Sequence, residues 1–362
     1  MIEERAAPRV SDPFVARTIA AVRPLDASAA AEMQATLDRK TKPRRSLGRL
    51  EEVCCRIAAS RGTAAPETLS KAVVLVAADH GVAEEGVSAY PSEVTAQMLS
   101  AFVSGSAAIS VLARHAGARL VVVDAGVREP FVDPAVLSLR IGAGTRSFVD
   151  GPAMADDDAF GGIRNGIQLA EELSASGIGI VALGDMGIGN TTSAAALTAA
   201  LLSRAAEEVC GRGTGVDDDG LRRKVGTVRR ALVTNAVDRT DPLGVLAAFG
   251  GFEIATLVGV ILGAAASGLV VVTDGVITTA AALVAARLAP DAAGRMIAAH
   301  RSSEPAHALQ LEALALRPLL ELDMRLGEAS GAALALPMID AALAIAREMG
   351  TFEEAGVSDA GA

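Results

Sequence analysis

Apolar and polar positions along this chain fall into two textures. Up to about residue 65 the apolar residues recur at helical spacing. From Lys71 onward, short uninterrupted β-branched runs alternate with longer Ala/Leu-rich stretches. A period near 3.6 marks a helix with one buried face, whereas a short continuous apolar run marks a strand buried on both sides. The first texture predicts helices over Asp12–Val22, Ala27–Asp38 and Leu47–Ala59 and no strand. The second predicts strands over Val73–Ala77, Ala118–Ala125, Gly177–Leu183 and Leu269–Thr273. Helices are expected over Glu93–Phe102, about Phe160–Ser174, Ser193–Ala206, about Phe252–Ala265 and from near Thr278. The chain end reads as a pair of apolar helices interrupted at Gly327-Glu328. Strands separated by helices, each ending in polar residues, give an α/β fold with a mainly parallel sheet and a small helical domain built from the strand-poor ends.

The polar residues that close the strands carry the candidate chemistry, because open α/β sheets bind ligands beyond the carboxyl ends of their strands. Gly177–Leu183 runs into GDMGIGNTT, which is a strand, a glycine-rich turn and a helix opened by the capping types Asn190, Thr191 and Thr192. Free backbone N–H groups and the positive helix end converge there, so this loop can hold an anion. Val73–Ala77 leads to Asp79-His80-Gly81, Ala118–Ala125 contains Asp124, and Leu269–Thr273 ends in Asp274-Gly275. A carboxylate at a strand end can accept hydrogen bonds from a ribose diol, and His80 reads equally as a ligand group or a satisfied structural histidine. GRGTG (Gly211–Gly215) is a second flexible loop. The helix after it bears Arg222, Arg223, Arg229 and Arg230, expected on a solvated face, and Lys224, a candidate phosphate partner. Arg44-Arg45 is expected as a solvated basic turn. Glu328, in an apolar neighbourhood, should have a raised pKa and could serve as a general base.

Composition narrows the classes. A net charge of −10 leaves no basic face for nucleic acid. Three cysteines, Cys54, Cys55 and Cys210, make neither a disulfide framework nor a zinc pattern and suit a reducing cytosol. The N-terminal MIEERAAPRVSDP lacks the apolar segment of a signal peptide. Ile254–Thr273 is uncharged and long enough to span a membrane, but Ala265–Gly268 should break it into a helix and a strand.

Six motifs then occur in an order shared with one family: DHGVAEEGVSAYPSEVT, GDMGIGNTT, GRGTG, TDG before a Thr/Ala helix, HRSSEPAH and RLGEASGAALAL. With KPRRSLGRLEE upstream, the chain resembles the nicotinate-nucleotide–dimethylbenzimidazole phosphoribosyltransferases from about Lys42 to Phe352. The resemblance implies a Rossmann-like domain over 67–307, a discontinuous helical domain from 1–66 with 308–362, and a cytoplasmic homodimer. It implies transfer of the phosphoribosyl group of nicotinate mononucleotide to 5,6-dimethylbenzimidazole, giving α-ribazole 5′-phosphate and nicotinate, with no cofactor and no metal. Glu328 is implied as the base, with Asp185 beside it. Gly187, Gly189, Asn190, Thr191, Thr192, Gly213, Thr214, Gly215, Lys224, Asp274, Ser302 and Ser303 are implied around the nucleotide. Ser88, Tyr90, Gln97 and Leu326 are implied around the base.

The chain departs from the family pattern at three places. Asp185 stands where Glu is usual, Ala329 where Gly follows the catalytic Glu, and Arg44-Arg45 where Pro-Gly is usual. The alternatives are a non-catalytic nucleotide-binding protein and a phosphoribosyltransferase for another lower-ligand base. A dehydrogenase is disfavoured because GDMGIGN has GxxGxG spacing, not GxGxxG. VVVTDGVITTAAAL only faintly echoes enzymes using pyrophosphorylated ribose, since Gly275 and Ala280-Ala281 replace the acid and glycines these need.

Overall fold

The computed structural model describes residues 10–65 and 67–358; the first nine residues of the N-terminal stretch, and the chain's last four, lie outside the described residues. The chain begins with α1 (Pro13–Ala21), α2 (Ala27–Asp38) and α3 (Arg49–Arg61). There follow β1 (Ser70–Ala78), α4 (Glu93–Ser104), α5 (Ala108–His115), β2 (Arg119–Gly126), β3 (Val136–Ser138), α6 (Asp156–Ala175) and β4 (Ile178–Met186). Then come α7 (Asn190–Leu202), α8 (Ala206–Val209), α9 (Asp218–Asn235), α10 (Pro242–Phe249), α11 (Phe252–Ser267), β5 (Val270–Thr273) and α12 (Val276–Leu288). β6 (Met296–Ala298), α13 (Pro305–Ala313), α14 (Ser330–Glu348) and α15 (Phe352–Ala355) complete it.

The six strands form one sheet in the order β3-β2-β1-β4-β5-β6, and every neighbouring pair is parallel. The order reverses between β1 and β4, which is where a doubly wound sheet opens a crevice at its carboxyl edge. Strand alternation sends Val74, Val76, Val181, Leu183 and Val271 into one apolar cluster with α6, α7, α10, α11 and α12. Val73, Leu75, Ile180, Ala182, Val270 and Val272 go to the other, with α2, α3, α4, α5 and α14. Both faces are covered, so the strands can be apolar throughout.

Sequence periodicity places most of these elements, with instructive differences. β3 and β6, of three residues each, and the helices α5 and α10 escape it because they are too short to show a period. The Ser193–Ala206 helix starts instead at Asn190 and stops at Leu202, where Ser203 turns left-handed (φ 53°), and α8 is separate. The terminal pair is corrected more deeply. Its first helix ends at Ala313, and 314–329 is an irregular segment laced to β6, with the Leu320 N–H donating to the Ala299 carbonyl at 2.9 Å and the Arg301 N–H to the Leu320 carbonyl at 2.9 Å.

Ile254–Thr273 divides at left-handed Gly268 into α11 and β5, both buried. Glu93–His115 and Ser330–Glu348 have the length and composition to cross a membrane. Gly105 breaks the first into α4 and α5, and the second packs its apolar face on the sheet through Ala332, Leu336 and Ile339.

Candidate active site

β4 delivers Gly184, Asp185 and Met186 to the carboxyl edge of the sheet, and the loop Gly187–Gly189 turns the chain into α7. Only glycine fits at 187, since a Cβ there would lie 2.5 Å from the Ala78 carbonyl at the end of β1. The expected capping role moves by one residue. Gly189, left-handed at φ 97°, is the N-cap, and Asn190 opens the helix with its side chain turned back, Nδ2 donating to Asp185 Oδ2 at 3.0 Å.

A cleft lies over this loop. Its walls are Asp185–Ile188, Asn190, Thr191, Gly213, Thr214, Gly275–Ile277, His300, Ser302, Glu304 and Arg325–Glu328. Five motifs far apart in sequence therefore meet at one place. A wider groove of about 410 Å³ between α3 and β6, lined by Leu25, Arg49, Arg56 and Arg317 among others, contains none of the implied site residues. Chemistry rather than size singles out the cleft.

Glu328 stands at the end of the irregular segment, 8 % exposed, and burial pushes its carboxyl up to about 7. It occupies a left-handed turn with Ala329 (φ 60° and 64°), and this turn lies against Gly184, where a Cβ would come within 2.6 Å of the Ala329 Cβ. The contact sets Glu328 next to the end of β4. Asp185 is buried, and burial raises its carboxyl well above the usual range, with the carboxylates of Asp274 and Glu253 adding to the effect. Asp274 is pushed up to about 7, again chiefly by burial, against hydrogen bonds from the backbone of α14.

These shifts carry a stability signature. Glu328 and Asp274 titrate near 7 when folded, against ordinary values of 4.5 and 3.8. Between these limits the folded state holds protons that the unfolded chain has released, so stability is full below about 4 and declines as pH rises through about 7. Glu51 and Asp12 are held below their usual range, by hydrogen bonds from Lys42 and from the backbone of Val15 outweighing burial, so their contributions vanish only on stronger acidification. Thermal unfolding at pH 5 and pH 8 is therefore expected to show a smaller loss for Glu328→Gln than for the parent chain. Equal losses would mean that Glu328 is not strained by burial.

Other implied residues stand behind the cleft or outside it. Lys224 is fully buried on the core face of α9, whereas Arg222, Arg223, Arg229 and Arg230 are exposed. The Lys224 Nζ donates to Thr191 Oγ1 at 2.7 Å, and burial pulls its pKa down against the opposing pull of Glu304. Thr192 and Asp274 are fully buried, and neither these nor Gly189 and Gly215 line the cleft. Ser303 is exposed while Ser302 is at the wall.

Ser88, Tyr90 and Gln97 also do not line the cleft. Tyr90 and Gln97 are exposed, Ser88 Oγ accepts the Tyr90 N–H at 3.2 Å, and Leu326 alone of the implied base contacts is a wall residue, half-exposed. Their segment is tethered to the cleft through Thr95, whose Oγ1 accepts the Ile188 N–H at 3.3 Å. Arg44 and Arg45 are exposed, as the basic-turn reading expects.

Several functional groups were not foreseen. Glu304 Oε1 accepts the Gly213 N–H at 2.8 Å and so holds the second glycine loop; a buried acid directly before Pro305 was the available signal. Among the described residues Arg325 is the one guanidinium on the wall, near the Gly213 carbonyl at 3.5 Å. Met186 and His300 also line it. His80 proves to be a support: its Nε2 lies 2.6 Å from Glu253 Oε1, both side chains are fully buried, and the ring packs below Gly187 and Gly251. Asp124 closes β2, accepting from the Gly126 and Val127 N–H groups at 2.9 Å and from Arg140 at 2.7 Å.

Comparison with known proteins identifies the architecture. A family model described as phosphoribosyltransferase matches residues 22–357. The nicotinate-nucleotide–dimethylbenzimidazole phosphoribosyltransferase of Chloroflexus aggregans is 50 % identical over 347 residues, covering 96 % of this chain and 98 % of the relative. That of Geobacter metallireducens is 46 % identical, covering 95 % and 98 %. The crystal structure of the enzyme of the same name from Thermus thermophilus superposes with a TM-score of 0.87 at 46 % identity, covering 92 % of this chain and 100 % of that one. Matched over nearly its whole length in sequence and in fold, the chain belongs to the nicotinate-nucleotide–dimethylbenzimidazole phosphoribosyltransferase family.

Proposed function

We propose that this chain transfers the phosphoribosyl group of nicotinate mononucleotide to 5,6-dimethylbenzimidazole with Glu328 as general base. One observation carries the reading: the Glu328 carboxyl, pushed up to about 7 by burial, sits on the cleft wall between the end of β4 and the start of α14. A base works best when its pKa is close to the working pH. Burial, with the carboxylates of Asp274 and Glu253, raises the Asp185 carboxyl as well, and Asp185 accepts the Asn190 side-chain N–H at the start of α7.

In the reaction one benzimidazole nitrogen bonds to C1′ of the ribose as the other gives its proton to Glu328. The C1′–pyridinium bond breaks with its electron pair returning to the ring nitrogen, and nicotinate leaves as a neutral pyridine ring. The product is α-ribazole 5′-phosphate. The N-terminal end of α7 lies at the cleft wall and presents the positive end of its dipole to the phosphate. Arg325 supplies exposed positive charge at the cleft wall, and Lys224 acts from beneath through Thr191.

The family resemblance also supports a homodimer. The three cysteines are free thiols, Cys54 and Cys210 buried, which supports a cytosolic location. A benzimidazole as the accepting base rests on the family alone, and competition among benzimidazoles, purines and phenols tests it directly.

The value of kcat/KM for dimethylbenzimidazole, which reports the ionisation of the free enzyme, tests the base when followed from pH 5 to 9. It should rise about tenfold per pH unit below about 7 and level off above, as Glu328 loses its proton. A rate independent of pH across this range would remove Glu328 from proton transfer.

A further inference from the structure

Helix α14 begins without a side-chain cap. Its N-cap is Ala329, which offers no acceptor, and the residue before it is Glu328. Of the first-turn amides, that of Ser330 donates to the Gly327 carbonyl at 3.0 Å, and those of Gly331 and Ala332 remain to be satisfied inside a buried environment. The partner comes from 58 residues away: Asp274 Oδ1 accepts the Ala332 N–H at 2.8 Å. The second carboxylate oxygen, Oδ2, is buried without a partner among the described residues. Asp274 itself is fixed at the end of β5, its own N–H donating to Thr278 Oγ1 at 2.9 Å, and its side chain is fully buried.

We infer that Asp274 is a positioning residue for Glu328, holding the turn that carries it, and does not bind the nucleotide. The inference rests on the reading of Glu328 as base and adds to it what keeps that base in place. Two consecutive non-glycine residues in left-handed conformation are a strained arrangement, and Glu328-Ala329 persists only if its surroundings over-determine it. Gly184 presses on the turn from the β4 side, and Asp274 ties its C-terminal half to β5. His300 Nδ1, 3.5 Å from Asp274 Oδ1, stands between this anchor and the cleft. A ribose-binding carboxylate needs an oxygen at the cleft wall, and Asp274 is not among the wall residues, whereas Gly275 is.

The test is a double-mutant cycle. Asp274→Ala, which removes the acceptor, is compared with the parent chain and in the Glu328→Gln background, reading kcat and the KM for nicotinate mononucleotide, with melting curves to establish folding and Asp274→Asn, which keeps an acceptor for the Ala332 N–H, as the conservative variant. Displacing a catalytic group by about an ångström costs up to roughly 100-fold. Asp274→Ala is expected to lower kcat about 10- to 100-fold, to leave the nucleotide KM within about twofold, and to add nothing once Glu328 is Gln, because coupled sites are not additive, while Asp274→Asn recovers most of the turnover. A raised nucleotide KM with unchanged kcat would restore the ribose role and overturn the proposal. Full additivity, with Glu328→Gln itself nearly inactive, would overturn the proposal and leave the base intact. Near-normal turnover in Glu328→Gln would end both. Hydrogen exchange on the parent chain gives a reading that needs no variant: the Ala332 amide should be as protected as those of the α14 interior, and fast exchange there would overturn the anchoring contact.

Discussion

Glu328→Gln is expected to fold, to bind dimethylbenzimidazole, and to lose about 10²- to 10⁴-fold in kcat, the range a positioned general base contributes. The amide keeps the shape of the side chain and can still hydrogen-bond a ring nitrogen, but it cannot take the proton. The loss should appear in kcat with little change in either KM, since proton removal belongs to the transition state and not to binding. Turnover near that of the parent, in protein free of contaminating wild type, would mean that another group removes the proton. Asp185, a cleft-wall carboxyl also raised by burial and its acidic neighbours, would then be the first to examine.

Lys224→Met carries the second large effect. Methionine matches the stem of lysine and removes the buried ammonium. The single hydrogen bond of Nζ goes to Thr191, a cleft residue, so the charge reaches the nucleotide through that hydroxyl. A hydrogen bond involving a charged group contributes about 1.5–3 kcal/mol, which corresponds to roughly 10- to 100-fold in affinity. The KM for nicotinate mononucleotide is expected to rise by that factor while the KM for the base stays unchanged. Because burial already disfavours the ammonium, the melting temperature should not fall. A shielded group also predicts weak dependence of this effect on added salt, unlike an exposed ion pair. An unchanged nucleotide KM would make Lys224 a packing residue.

Much of this was legible in the sequence because buried parallel strands are written as uninterrupted apolar runs. Val73–Ala77 and Gly177–Leu183 locate β1 and β4, and their polar ends locate the cleft. Lys224 was legible in kind but not in setting. It shares the core-facing spacing of Thr227, Val228 and Ala231 on α9, a pattern that marks it as buried although exposed arginines surround it in sequence. Glu304 and Asp274 show the other limit. Each acts by accepting backbone N–H groups from segments 91 and 58 residues distant, and no local pattern records such a pairing. Ser88, Tyr90 and Gln97 were assigned through the family alone, and their place beside the cleft rather than on its wall follows from tertiary packing that periodicity does not encode.

The irregular segment 314–329 misled the periodicity for a physical reason. Its leucines serve as anchors along β6, with the Leu319 and Leu320 amides pairing to the Ala298 and Ala299 carbonyls, so apolar content there reports burial and not a helix. The consequence is functional. A base mounted on an extended segment, fixed by β6 on one side and by Asp274 on the other, can hold a left-handed geometry that a helix could not offer.

Purified protein incubated with nicotinate mononucleotide and 5,6-dimethylbenzimidazole, with products resolved by mass and released nicotinate counted, tests the central claim most directly. The account predicts one phosphoribosylated benzimidazole for each nicotinate released. Saturable binding of nicotinate mononucleotide with no nicotinate released in the presence of the base would contradict it and leave a nucleotide-binding protein in its place.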